Sequence, residues 1–276
     1  MLIIGESLLG VLIFVANNFS AMNKSLLKWL SFLFVLAVIS CKPTSTIQKV
    51  ETASYKFNQK ETPPVDSSVY YSILPFKNKV DAEMNDLVCK SSMSFQKNQP
   101  EGELGNLIAD IIKEEAIRNY NGPDDYPISF SFFNNGGLRA SLPEGDITVR
   151  NVFELLPFEN EMAIVTLKGA TLKQLLDYIA VKGGVPVSGL KMKIKDGLAT
   201  EVFIAGEVFD ENKTYKIVTN DYLANGGDNY EFMKDAVRKE FPGTKVRDAV
   251  LKNLREKNKK GIIISSKIEG RIAYDK

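Results

Sequence analysis

Two apolar, strand-like runs in this chain each deliver a turn built on adjacent glycines, and that arrangement limits the possible folds more than any other feature. The first is the alternating run Pro127-Ile128-Ser129-Phe130-Ser131-Phe132, which leads into Phe133-Asn134-Asn135-Gly136-Gly137-Leu138-Arg139. The second carries Tyr215, Ile217 and Val218 and leads into Asp221-Tyr222-Leu223-Ala224-Asn225-Gly226-Gly227-Asp228-Asn229-Tyr230. Strands that end in such turns place ligand sites at the carboxyl end of a sheet.

The residue types in both turns suit a small polar ligand with a flat face. Glycine permits positive φ and lets a ligand approach the main chain, which makes Gly226 and Gly227 candidates for contact. Tyr222 offers a flat ring and Asp228 an acceptor for hydroxyl groups, a combination that suits a nucleoside. In the first turn Asn134 can hydrogen-bond a ligand, Gly136 and Gly137 leave backbone N–H groups uncovered, and Arg139 adds a planar fork for phosphate or carboxylate. Plainer readings also exist. The second turn could be a strand-to-helix connection with a core tyrosine, and the first an Asn-Gly turn beside a surface arginine.

The rest of the chain predicts an α+β fold. Residues 103–120 read as an amphipathic helix with Leu104, Leu107, Ile108, Ile111 and Ile112 on one face, and Glu114 with Glu115 on a solvated one. Within it Asn106 reads as a buried cap or packing contact rather than a ligand. Residues 163–167 read as a strand, and Leu172, Leu175, Leu176 and Ile179 as a second helix that ends at Gly183-Gly184. Residues 190–195, 200–205 and 214–219 suggest a meander, residues 231–240 and 248–256 two later helices, and residues 261–265 a terminal strand. Strands and helices without a strict βαβ rhythm indicate α+β.

Taken in order, several of these segments resemble the C-terminal domain of the 5′-nucleotidase family. The matching blocks are Leu104-Gly105-Asn106-Leu107-Ile108-Ala109-Asp110, residues 133–139, Leu155-Leu156-Pro157-Phe158, Leu167-Lys168-Gly169-Ala170-Thr171-Leu172, residues 220–230 and Glu269-Gly270-Arg271-Ile272. The resemblance covers residues 70–273 and implies mixed sheets layered between helices. It also implies that Phe158 and Tyr222 clamp a nucleobase, that Asp228 contacts the ribose hydroxyls, and that Asn134 and Arg139 reach the base or the phosphate. Stacking on an aromatic ring is worth about 1–3 kcal/mol per base and tolerates base identity. Without the family, Phe158 in its apolar stretch reads as an ordinary core residue.

The same resemblance places phosphate-ester hydrolysis at a two-metal site in a separate N-terminal domain built from His, Asp and Asn ligands. This chain has no histidine. It shows none of that domain's ligand spacing, so no catalytic residue, metal ligand or cofactor is expected on it. Two divalent metals are expected on a metallophosphoesterase domain supplied by another chain. Acidic pairs such as Asp124-Asp125 read as solvated, with no EF-hand spacing. Without histidine there is also no Ser-His-Asp or Cys-His arrangement. One departure touches the phosphate: family members carry an arginine before the Glu that precedes the Leu-Gly-Asn-Leu block. Here the stretch reads Gln96-Lys97-Asn98-Gln99-Pro100-Glu101, and Lys97 supplies at best a point charge.

The N-terminal region predicts location. Met22-Asn23-Lys24, the apolar residues 30–39 and Ser40-Cys41 form a signal peptide, 22–40, whose Val38-Ile39-Ser40-Cys41 resembles the bacterial lipobox. Cys41 would then carry the lipid and 41–65 would be a tether, with 66–276 the folded domain on the cell envelope. Residues 1–21 are expected to lie upstream of the true start at Met22. Removing 1–40 takes away Lys24, Lys28 and Glu6, leaving 33 basic residues of 35 and 33 acidic of 34. That balance gives no footprint for DNA or RNA. Cys89 is the remaining thiol and reads as a small apolar residue. Three functions follow: nucleotide recognition for a split 5′-nucleotidase-like hydrolase, stand-alone nucleoside binding by a lipoprotein, or a structural lipoprotein that has lost the pocket.

Overall fold

The computed structural model describes residues 28–29, 32, 52–54, 66–120, 122 and 126–275. The chain divides into two compact units, Met1–Pro64 and Val65–Lys276. In the first, Lys28, Trp29 and Phe32 are helical. Cys41, the expected lipidation residue, and the Asp124-Asp125 pair lie outside the described residues. Among those described, no helix is long and apolar enough to cross a membrane.

The second unit is α+β, built on a five-stranded sheet. Its strands are β2 (Ile128–Phe132), β4 (Met162–Lys168), β5 (Val187–Ser188), β9 (Thr214–Asn220) and β10 (Arg238–Glu240), in the order β10-β4-β9-β2-β5. Both faces are buried, and the alternation of side chains along β4 divides the core. Met162 and Ile164 join one apolar cluster, while Ala163, Val165 and Leu167 join the other. The first cluster packs under helices α2 (Glu103–Asn119) and α6 (Val246–Lys259). The second packs under α4 (Gly169–Val181), whose far side meets a four-stranded sheet. That sheet runs β11-β6-β7-β8, from Ile272–Tyr274, Leu190–Lys195, Leu198–Ile204 and Glu207–Val208. A two-stranded ribbon of β1 (Leu87–Ser91) and β3 (Gly145–Thr148), with α3 (Val149–Leu155), closes the first core. Helix α1 (Ser67–Met84) begins at Asp66, whose carboxylate accepts from Ser68 and Val69 N–H, and it buries no residue.

The amphipathic segments form as their periodicity requires, but four expectations are corrected. Residues 231–240 are not a helix: Glu231–Asp235 is a 3₁₀ turn and β10 follows as the edge partner of β4. Residues 261–265 do not form a strand. Ile264 makes a single bridge to Ser91, and the terminal strand is β11, parallel to β6. The meander stops after β8, because β9 pairs with β4 and β2 in the other sheet. Glu115 is not solvated. Its carboxylate is buried between α2 and α6, where it accepts from Arg118 (2.5 Å), Asn253 (2.9 Å) and Asn119 (3.1 Å). Burial raises its pKa, but these hydrogen bonds and the charge of Arg118 more than offset that and hold the carboxyl below its usual range.

Asn106 is buried and donates to the Glu101 carboxylate at 2.6 Å and to the Lys267 carbonyl at 2.8 Å. Cys89 is fully buried in β1, and burial pushes its thiol up to about 11, so it is inert at neutral pH.

Candidate functional site

Strand directions bring the predicted segments to one end of the five-stranded sheet. β2 and β9 are parallel, so the turns that follow Phe132 and Asn220 leave the sheet on the same side. β4 is antiparallel to β9 with Met162 opposite Asn220, so the chain entering β4, which carries Phe158, arrives at that end as well. Two hydrogen bonds join the two loops. Asp221 N–H donates to the Glu161 carbonyl at 2.8 Å, and Glu161 N–H donates to the Asp221 carboxylate at 3.1 Å. Asn220 caps the four-residue helix α5 (Asp221–Ala224) by accepting from Leu223 N–H at 2.8 Å.

Asp228 is the centre of this region. Its φ of 52° and that of Asn229, 67°, are left-handed conformations that side chains adopt reluctantly. Hydrogen bonds hold the turn there. The Tyr178 hydroxyl donates to the Asp228 carbonyl at 2.9 Å, and Asp228 N–H donates to the Tyr222 hydroxyl at 3.0 Å. That hydroxyl donates in turn to Oδ1 of Asp228 at 2.8 Å, and Asn134 Nδ2 donates to Oδ2 at 2.6 Å. Each carboxylate oxygen therefore keeps acceptor capacity for a second donor. Behind the turn, Tyr178, Tyr230, Phe232 and Phe132 make edge and tilted ring contacts with centroids 4.8 to 5.9 Å apart. Tyr230 is fully buried, and burial pushes its hydroxyl pKa up, so it stays neutral.

The two predicted rings stand out into solvent. Tyr222 is 47% exposed and Phe158 is 49% exposed, so Phe158 is not the core residue its apolar neighbours suggest. Gly227 is pressed against Tyr222, for a Cβ there would lie 2.5 Å from the ring. Gly226, at φ 95°, turns the backbone from α5 into the Asp228 turn. An open hollow of about 490 Å³ runs along Asn160, Asp221, Tyr222, Asn225, Gly226 and Gly227. Asn160 also lines a narrow crevice with Phe133, Gly137, Leu156, Phe158 and Val246. The crevice and the hollow thus share Asn160, with Phe158 lining the one and Tyr222 the other.

Gly136 is exposed beside the carboxylate: a Cβ on it would sit 4.0 Å from Asp228 Oδ2. Gly137 is buried, with no room for a Cβ beside Phe133. Asn134 is buried as the brace of Asp228, and its Oδ1 finds no hydrogen-bond partner among the described residues. Arg139 is exposed, and its N–H donates to the Leu155 carbonyl at 2.8 Å, which ties this turn to the foot of the Phe158 loop. Lys97 is exposed on a segment that reaches the same turn. Gln99 Nε2 and Asn135 Nδ2 both donate to the Gly184 carbonyl, at 2.9 and 3.0 Å. Among the described residues no three His, Cys, Asp or Glu side chains gather as a metal site. A larger hollow, about 710 Å³, lies on the outer face of the four-stranded sheet, and none of the predicted residues lines it.

Sequence reasoning missed Tyr178, whose hydroxyl donates to the Asp228 carbonyl, and Arg247, whose guanidinium donates to the Leu156 carbonyl two residues before Phe158. Tyr178 could have been found from the helical spacing that places it three residues after Leu175, at the edge of the apolar face; Arg247 carries no local signal.

The sequence model of the 5′-nucleotidase, C-terminal domain, matches residues 76–235, and the chain belongs to that family. Protein UshA of Escherichia coli K12 is 35% identical over 169 residues, 56% of this chain and 28% of that protein. The 5′-nucleotidase of Rattus norvegicus is 29% identical over 199 residues, 63% of this chain and 33% of the relative. The chain spans about a third of the length of the curated relatives it matches. Among solved structures, the 5′-nucleotidase precursor from Thermus thermophilus superimposes with a TM-score of 0.63 at 26% identity, over 76% of this chain and 44% of that one. The NAD nucleotidase of Haemophilus influenzae shares the fold, with a TM-score of 0.57 at 17% identity over 76% of this chain and 41% of that one.

Proposed function

We propose that this chain is the nucleotide-recognition part of a split 5′-nucleotidase-like phosphoric-monoester hydrolase. The base stacks between Phe158 and Tyr222, and Asp228 accepts hydrogen bonds from the ribose hydroxyls. One observation supports this reading above others: two half-exposed rings stand on loops bonded to each other, and one of them, Tyr222, together with Asn134 already orients the Asp228 carboxylate. Orientation before binding reduces the entropy lost on association. Asn134 acts by holding Asp228, and in this reading Arg139 and Lys97 meet the phosphate. Gly136, Gly226 and Gly227 keep the backbone low around the ligand.

Hydrolysis belongs to a separate metallophosphoesterase chain that supplies both divalent metals. The residues of this chain include no histidine, the imidazole donor such a metal pair draws on. Anchoring both chains to one membrane, here through a lipid on Cys41 at the cell envelope, would keep their local concentration high.

The test is isothermal titration of the purified chain with adenosine and AMP in metal-free buffer, repeated for Phe158→Ala and Tyr222→Ala. Adenosine should bind, and each variant should weaken it by about 1–3 kcal/mol. AMP binding that is tighter than adenosine binding, and loses that advantage in Arg139→Ala or Lys97→Ala, assigns the phosphate to those residues. Wild-type chain that binds neither ligand, or variants that bind like wild type, would refute the clamp. Metal-dependent phosphate release by this chain alone would refute the division of labour.

A further inference from the structure

Arg247 occupies a place that its own helix does not explain. It is the second residue of α6, at the end where the helix dipole disfavours a cation, and it is 7% exposed. A buried guanidinium needs partners for its donors; Nε finds none among the described residues, and those of Nη1 and Nη2 all lie on the loop that carries Phe158. Nη1 donates to the Leu156 carbonyl at 3.2 Å and to the Pro157 carbonyl at 3.4 Å. Nη2 pairs with the Glu159 carboxylate. The guanidinium also lies over the Phe153 ring, 4.0 Å from its centroid. One side chain thereby grips the residues on both sides of Phe158, whose ring is left half exposed. The backbone adds a second attachment, with Val246 N–H donating to the Asn160 carbonyl at 2.9 Å.

We infer that Arg247 is a positioning residue: it fixes the 156–159 loop so that the Phe158 ring stands ready on its side of the base, without touching the ligand itself. This inference rests on the proposed clamp and adds a division of labour within it. Tyr222 is set by its hydrogen bonds to Asp228, and Phe158 by Arg247. A ring held by neither would spend part of its time away from the stacked geometry, and affinity would fall with the fraction in place.

A double-mutant cycle in adenosine titration tests this on the full chain, with Phe158→Ala, Arg247→Met and the double variant, and thermal unfolding recorded for each. Methionine fills much of the volume and leaves no unpaired buried charge. Phe158→Ala should weaken adenosine at least about fivefold. Arg247→Met should weaken it in the same direction, and the double variant should bind no worse than Phe158→Ala alone. A merely structural role would instead give losses that multiply. Glu159→Gln guards against a fold defect, because Glu159 is exposed: it should weaken adenosine in the wild-type background and change nothing beside Phe158→Ala. If Phe158→Ala weakens binding while Arg247→Met and Glu159→Gln bind like wild type, Arg247 does not position the ring and the clamp stands. If Phe158→Ala itself binds like wild type, the clamp fails and this inference falls with it.

Discussion

Gly227→Ala separates recognition from stability. The added methyl would lie 2.5 Å from Cε2 and Cζ of Tyr222, whereas carbon atoms rest about 3.5–4.0 Å apart. The ring must therefore move by on the order of 1 Å or more. Nothing in the core resists, since Tyr222 is half exposed, and Gly227 does not sit at positive φ. The hydroxyl's hydrogen bonds to Asp228 are strained or lost, at about 0.5–1.5 kcal/mol each. Replacing glycine restricts the unfolded chain and returns about 0.4–1 kcal/mol. Net destabilisation on these terms lies between about 0 and about 2.6 kcal/mol, the upper end requiring that both bonds be lost outright. Adenosine affinity should fall by about 1–3 kcal/mol, or roughly 5- to 150-fold. Titration calorimetry and urea unfolding of the same preparation read the two quantities. Gly137→Ala is the contrast: its methyl would meet buried Phe133 at 2.4 Å, and overpacking should remove about 1–3 kcal/mol of stability. Unchanged affinity in Gly227→Ala would refute the reasoning.

Three further outcomes follow from the same structure. If Asp228 reads the ribose, 2′,3′-dideoxyadenosine should bind more weakly than adenosine to wild type, and Asp228→Ala should bind both alike in competition titrations. Because the Glu115 pKa is lowered on folding, its contribution is fully present above the ordinary carboxylate value and is lost as pH falls through the lowered one. Glu115→Gln should accordingly reduce the urea midpoint at pH 7 and flatten its decline between pH 5 and pH 3, the decline being steeper in wild type. Cys41→Ser should move the chain from the membrane to the soluble fraction of cells, and a variant that still sediments with membranes would remove the lipid anchor from the account.

The periodic segments were legible because burial alone decides them. The apolar stripe of Leu104, Leu107, Ile108 and Ile111, and that of Leu172, Leu175, Leu176 and Ile179, both become buried helix faces, and β4 and β9 form where the apolar runs lie. Elements decided by distant partners were not legible. Residues 238–240 become a strand because the edge of β4 accepts one, and Glu231–Asp235 is already turned by the left-handed residues Asp228 and Asn229. Glu115 looks like its solvated neighbour Glu114 until α6 brings Asn253 against it. At the site, the glycine pairs, Tyr222 and Asp228 stand out in the sequence, since unusual backbone geometry needs unusual residues. Phe158 among Leu155, Leu156 and Pro157 does not, because its exposure is set by where the loop leaves the sheet. Arg247 is a basic residue among Lys245, Val246 and Asp248, and only the fold brings it to the Phe158 loop.

Nuclear Overhauser contacts between adenine protons and the two aromatic rings, in chain labelled selectively at Phe and Tyr, test the central claim most directly. The account predicts contacts from adenine H2 and H8 to both Phe158 and Tyr222, each set vanishing in the corresponding alanine variant. Bound adenosine that contacts neither ring would contradict it.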